Sequence, residues 1–183
     1  MKYIISLLVL TAFILLVAFP GVAGEKPSNK YVGVKSCSMC HKTEKQGNQV
    51  GVWEKSKHTE AFKSLSSPKA AEIGKAKGLK KPASETAECL SCHTIVADAK
   101  MVEKTFDPKQ GVQCETCHGA GSAYKSMSVM KDKAKAVAAG LMEYKDDAAI
   151  EKLCKTCHNE KSPTYKEFKF KESWAKIKHP KKS

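Results

Sequence analysis

Eight cysteines and four of the six histidines fall into one repeated pattern, Cys-x-x-Cys-His, and no cysteine lies outside it. The runs are Cys37-x-x-Cys40-His41, Cys89-x-x-Cys92-His93, Cys114-x-x-Cys117-His118 and Cys154-x-x-Cys157-His158. Two thiols at this spacing form thioethers to both vinyl groups of one haem, and the next residue places an imidazole on the iron. The pattern therefore predicts four covalently attached haem c groups, with His41, His93, His118 and His158 as proximal iron ligands. Structural zinc also uses paired cysteines. It pools two pairs per metal, however, and has no reason to follow every pair with histidine. A thioredoxin-like redox pair would need a strand-helix-strand context, and disulfides within each run would close only tight local loops.

Four irons have eight axial positions, and only His58 and His179 remain once the proximal histidines are assigned. At most two haems are then bis-histidine, and exchange of ligands between identical subunits cannot change that ratio. A wire in which every haem is bis-histidine is excluded by arithmetic. His58 and His179 lie beside aromatic residues in a chain full of iron, so both are expected as distal ligands. The other two irons take methionine, lysine, water or nothing. The methionine candidates are Met101, Met127, Met130 and Met142; Met127 and Met130 lie just after the third run, with core packing against porphyrin as their alternative role.

The elements that position these residues are expected to be short. Without a leader the chain is about 160 residues, one domain by length, which leaves only about 40 residues per haem and a thin side-chain core. The expected class is mainly α, with short helices and long loops wrapped on four haems in stacked pairs and almost no sheet. Ser67-Pro68 through Lys77 and Gly78 carries a cap, a first-turn proline and a C-terminal glycine. Trp53 to Leu65 reads as an amphipathic helix bearing His58, with Ala61, Phe62 and Leu65 on the same face. Lys131 to Met142 is alanine-rich and helical, and another helix should run from a cap at Asp146 or Asp147 into the fourth run. Residues 26–35, 80–84 and 106–111 read as loops. The intervals between runs are unequal, so no repeat array is expected.

Residues 1–23 read as a cleaved signal peptide: a basic start at Lys2, an apolar run from Ile4 to Phe19, and small residues Gly21-Val22-Ala23-Gly24. Residues 24–183 would then form the tetrahaem cytochrome domain. The apolar run is short for a membrane span, which disfavours an uncleaved anchor. An exported, periplasmic location suits thiols consumed by haem rather than by disulfides.

The 32 basic residues are all lysine, against 19 acids, giving a net charge of +13. Haem propionates lower this by several units but leave the protein cationic. Without arginine the surface suits acidic redox partners, not nucleic acid.

Several stretches resemble one family beyond haem attachment. They are Cys37-x-x-Cys-His-Lys42, Trp53-Glu-Lys-Ser-Lys-His58-x-x-Ala61, Gly111-Val-Gln-Cys-Glu-Thr-Cys-His-Gly-Ala-Gly121, and Tyr165-x-x-Phe168-Lys-Phe170 with His179 near the end. Together they resemble the tetrahaem cytochrome c-554 family of ammonia oxidisers. The resemblance implies a mostly helical fold with stacked haem pairs, three six-coordinate haems, one five-coordinate haem on His93, and electron acceptance from a larger multihaem oxidoreductase. It also implies His58 as distal ligand opposite His118, and His179 opposite His158. The family has a further histidine some ten residues beyond the third run, distal to the first haem. This chain has Lys125-Ser-Met127-Ser-Val-Met130 there. Either a methionine replaces that ligand or the first haem has lost it. The function expected is electron transfer between a larger multihaem oxidoreductase and a membrane-side redox partner, with no catalytic residues. The alternative is an enzyme acting on a small nitrogen oxide (nitric oxide, nitrite or hydroxylamine) at an open haem.

Overall fold

The computed structural model describes residues 28–180. Residues 1–23, read above as a signal peptide, lie outside the described residues. The described residues form ten short α-helices: α1 (Val34–His41), α2 (Gln49–Glu54), α3 (Ala61–Ser64), α4 (Pro68–Ala76), α5 (Ala87–His93), α6 (Cys114–His118), α7 (Met127–Met130), α8 (Lys133–Ala138), α9 (Asp147–Cys154) and α10 (Phe170–Ile177). Among the described residues the sole strand-like pairing is an isolated parallel bridge between Tyr31 and Val102. No helix among them is long and apolar enough to cross a membrane.

The local signals act as expected where they are self-contained. Ser67 caps α4, its Oγ accepting from the Ala70 N–H at 3.2 Å, and Pro68 occupies the first turn. Asp146 caps α9 through the Ala149 N–H at 2.8 Å, and that helix runs into Cys154. Two predicted helices are shorter or broken. The stretch from Trp53 to Leu65 divides into α2, a 3-10 turn at Lys57–Glu60 and α3. The break falls at Lys55-Ser56-Lys57-His58-Thr59, where the Ser56 hydroxyl donates back to the Trp53 carbonyl and the Thr59 hydroxyl to that of Ser56. The predicted helix from Lys131 to Met142 is confined to α8, because Asp132 caps it late and Gly140, at φ 106°, turns the chain out. Within the predicted loops, α1 already starts at Val34, and 3-10 turns occupy Ala83–Glu85 and Pro108–Gln110.

The core is thin, as the residues-per-haem argument requires. Leu65, Ala70 and Ala83 form a buried cluster backed by Cys89 and Leu90, the flank of the second motif. Most other buried apolar side chains are single and small, such as Val32, Val34, Val50 and Ala136. Such a set buries too little apolar surface to hold ten helices together on its own.

Candidate haem-binding site

Each Cys-x-x-Cys-His run lies on or at the end of a helical turn: within α1, α5 and α6, and across the C-terminal end of α9. Cysteines three apart on a helix share a face, so both thiols of a pair point the same way and the following histidine sits beside them. None of the eight cysteines is in a disulfide. The runs meet pairwise across the molecule. The Cys37 and Cys114 thiols lie close enough to shift each other's titration, which brings the first run beside the third, and Cys92 acts in the same way on Cys157, of the second and fourth runs.

The histidines meet in two pairs. His58 and His158 have ring centroids 6.2 Å apart at 47°, and His118 and His179 are 5.9 Å apart at 38°. Two imidazoles that share one metal, each through a metal–nitrogen bond of about 2 Å, have ring centres about 6 Å apart. The resemblance implies a different pairing, with His58 opposite His118 and His179 opposite His158. Two distant tethers hold the observed pairs. The His58 carbonyl accepts from the Val112 N–H at 2.9 Å, which fixes the 3-10 turn. The chain after α10 is bound to the start of α2, with Gln49 Nε2 donating to the Pro180 carbonyl at 3.2 Å. Phe168 stacks on His158 at 4.7 Å and 15°, orienting that ring. Phe170 is buried and parallel to Trp174, which seats α10 and hence His179.

The remaining two histidines are held at Nδ1. His93 Nδ1 donates to the Ala61 carbonyl at 2.6 Å, with Ser64 Oγ at 3.3 Å, while His41 Nδ1 lies 3.3 Å from Gln49 Oε1. A hydrogen bond at Nδ1 leaves the Nε2 lone pair for a metal. Burial also pushes the His58, His158 and His179 imidazoles below their ordinary range, and pushes His118 down to about 4 with the charges of His179 and His41 adding. Neutral imidazole is the form that ligates iron. Met127 is 61% exposed at the start of α7, and Met130 is half-buried at its end.

The third motif is the hub. Tyr124 OH donates to the carbonyls of His118 and Gly119 at 3.1 and 2.6 Å, and Tyr144 OH to that of Cys117 at 2.7 Å. Trp53 Nε1 donates to the Val112 carbonyl at 2.8 Å. Glu115, inside the motif, is buried against the backbone of Val32, Gly33 and Gly121. Sequence reasoning quoted this glutamate only as part of a resemblance and did not single out Gln49; the Cys-Glu-x-Cys-His-Gly-x-Gly spacing was the available signal for the former. Buried oxygens without partners also cluster here, at Gln110 Oε1, Gln113 Oε1 and Thr116 Oγ1. Paired thiols, the buried imidazoles of His118 and His179, and orphaned polar atoms around the third motif together fit a covalently held haem.

A mainly helical chain with thioether-forming pairs and an imidazole after each pair defines a c-type cytochrome. A family model described as cytochrome c554 and c-prime matches residues 36–119, the span of the first three motifs. The curated cytochrome c-554 of Nitrosomonas europaea is 29% identical over 163 residues, covering 82% of this chain and 66% of that protein. Both matches support the cytochrome c-554 family as the one this chain is similar to. No solved structure is a significant match.

Proposed function

We propose that this protein is an exported electron carrier with four covalently attached haem c groups, passing electrons between a larger multihaem oxidoreductase and a membrane-side partner. The observation that carries the proposal is the facing of His58 with His158 and of His118 with His179, at separations suited to one shared metal each. Haem c supplies reversible one-electron chemistry when bound. The chain's own residues do the rest. Eight cysteines tether the groups, Phe168 holds the ring of His158, and Ala61 and Gln49 hold His93 and His41 at Nδ1. Two histidines on one iron favour a six-coordinate centre that changes little between redox states, as a carrier requires. The lysine surface steers acidic redox partners, and the apolar leader supports export and a mature chain beginning near residue 24.

Intact mass of the secreted protein tests the proposal. The expected value is the chain without its leader plus four haems, with colour retained after acid-acetone extraction. Fewer than four haems in fully matured protein, or bound zinc, overturns it.

A further inference from the structure

Glu115 is 3% exposed, although it carries a carboxyl group and sits inside the third motif. Its partners are backbone amides. The Val32 N–H donates to Oε1 at 2.8 Å and Oε2 at 3.0 Å, the Gly33 N–H to Oε2 at 2.7 Å, and the Gly121 N–H to Oε1 at 2.7 Å. Three donors converge on two oxygens, and none of the three can accept, which is the arrangement an ionised carboxylate takes. The amide dipoles solvate this charge without cancelling it. Gly121 is a glycine for this reason, since a Cβ there would lie 3.1 Å from Oε1 and 3.1 Å from Val32 Cγ2.

The charge lies between two haem-attachment motifs. Cys114 precedes Glu115 in the chain, and Cys37 Sγ donates at 3.7 Å to the carbonyl of Gly33, the residue whose own N–H grips Glu115. Cys37 and Cys114 act most strongly on each other, raising the pKa of Cys37 and lowering that of Cys114, and the Glu115 charge pushes each upward. In a buried setting of low dielectric, a fixed charge at this range acts with little screening.

We propose that Glu115 is a positioning residue for charge: its amide-held carboxylate lowers the reduction potentials of the haems attached through the first and third motifs. A negative charge stabilises the more positive, ferric form, so reduction beside it is less favourable. Glu115 is not among the charges acting on the Cys89, Cys154 or Cys157 thiols, so the haems of the second and fourth motifs feel it less. The inference rests on the reading of four haem c groups.

The test is a haem-resolved redox titration of the full protein, alongside intact mass and thermal melting, for the parent, Glu115→Gln and Glu115→Asp. In the parent, the third-motif haem should titrate below the fourth, because His118 with His179 and His158 with His58 form the same ligand set. Glu115→Gln should raise the first and third potentials by about tenfold in the reduction equilibrium constant, about 59 mV for one electron, and move the other two much less. Glu115→Asp keeps the charge with poorer bonds, so it should melt lower with potentials near those of the parent. Four unmoved potentials in Glu115→Gln, an equal rise in all four, or a rise in Glu115→Asp as large as that in Glu115→Gln overturns the proposal. Should Glu115→Gln fail to mature, the parent decides: a third-motif potential at or above the fourth overturns the proposal, and one below it upholds it. A parent mass showing fewer than four haems instead sinks the haem reading itself.

Discussion

His58 faces His158 across 6.2 Å, although the two are far apart in sequence and His58 sits in a single 3-10 turn. His158 is stacked on Phe168 and has little freedom to follow a departing partner. Replacing His58 by alanine should therefore convert one low-spin haem to high spin and leave the other three largely as they were. The altered haem should be the one attached at Cys154 and Cys157. His179→Ala should alter the haem at Cys114 and Cys117. Assignment by nuclear magnetic resonance of each variant's haem signals checks this, and the reverse assignment would restore the pairing implied by resemblance.

The turn carrying His58 depends on Gly111. That glycine has φ 75°, and a Cβ on it would run into the His58 and Thr59 carbonyls. Gly111→Ala should cost at least about 1–3 kcal/mol from backbone strain, with loss of the Val112-to-His58 hydrogen bond. Thermal melting measures the cost, and the low-spin signal of the fourth-motif haem should weaken in the same variant. Unchanged melting would show that the loop yields without penalty.

The parts of this site that were legible in the sequence are the ones whose chemistry is local. A serine before Pro68 and an aspartate before Asp147 cap helices within three residues of themselves, and Cys-x-x-Cys-His needs one turn of chain. The tethering of His58, the anchoring of Glu115 and the bridging by Gln49 depend on partners far along the chain: Val112 for His58, Val32 at a separation of 83 residues for Glu115, and Pro180 at a separation of 131 for Gln49. Nothing in a local window encodes such contacts. Residue types and spacing likewise say that His58 and His179 are available as ligands, but not which motif each one faces.

Acid should loosen the site in a defined window. Burial holds His58, His158 and His179 below their ordinary value of 6.5, and His118 at about 4. With folded-state pKa values below those of the unfolded chain, the unfolded chain binds more protons. The stability these residues contribute is complete above 6.5 and is lost as pH falls from there towards 4. Ligation needs the same neutral imidazole, so iron extends the window further down. Melting temperature should fall across this range together with low-spin character. A melting temperature flat through the whole window would show that these imidazoles stay neutral by other means.

Partner encounter should be governed by charge. With 32 lysines against 19 acids, association with an acidic redox protein should slow steeply as salt rises, since exposed charges are screened within about 10 Å at 0.1 M. Stopped-flow reduction rates over an ionic-strength series measure this. A rate indifferent to salt would make the lysines a solubilising surface alone.

The iron on His93 separates a carrier from a catalyst. The two facing pairs use four of the six histidines, all within the described residues, and leave His41 and His93 each without a second imidazole. For the haem on His41, the candidates are Met127 and Met130. A thioether-to-iron absorption band lost in only one of the two methionine variants would identify the ligand. His93 is fixed by Ala61 and Ser64 on its Nδ1 side, so its iron should stay put and stay open. The reduced protein should then bind carbon monoxide at one haem in four, and the midpoint of that haem should shift on binding. Binding alone is not turnover, which also needs a proton donor placed at the ligand. If nitric oxide, nitrite or hydroxylamine is consumed at rates comparable with electron delivery, the open haem is an active site and the enzyme reading displaces the carrier. If no diatomic binds, the second haem has a sixth ligand other than histidine.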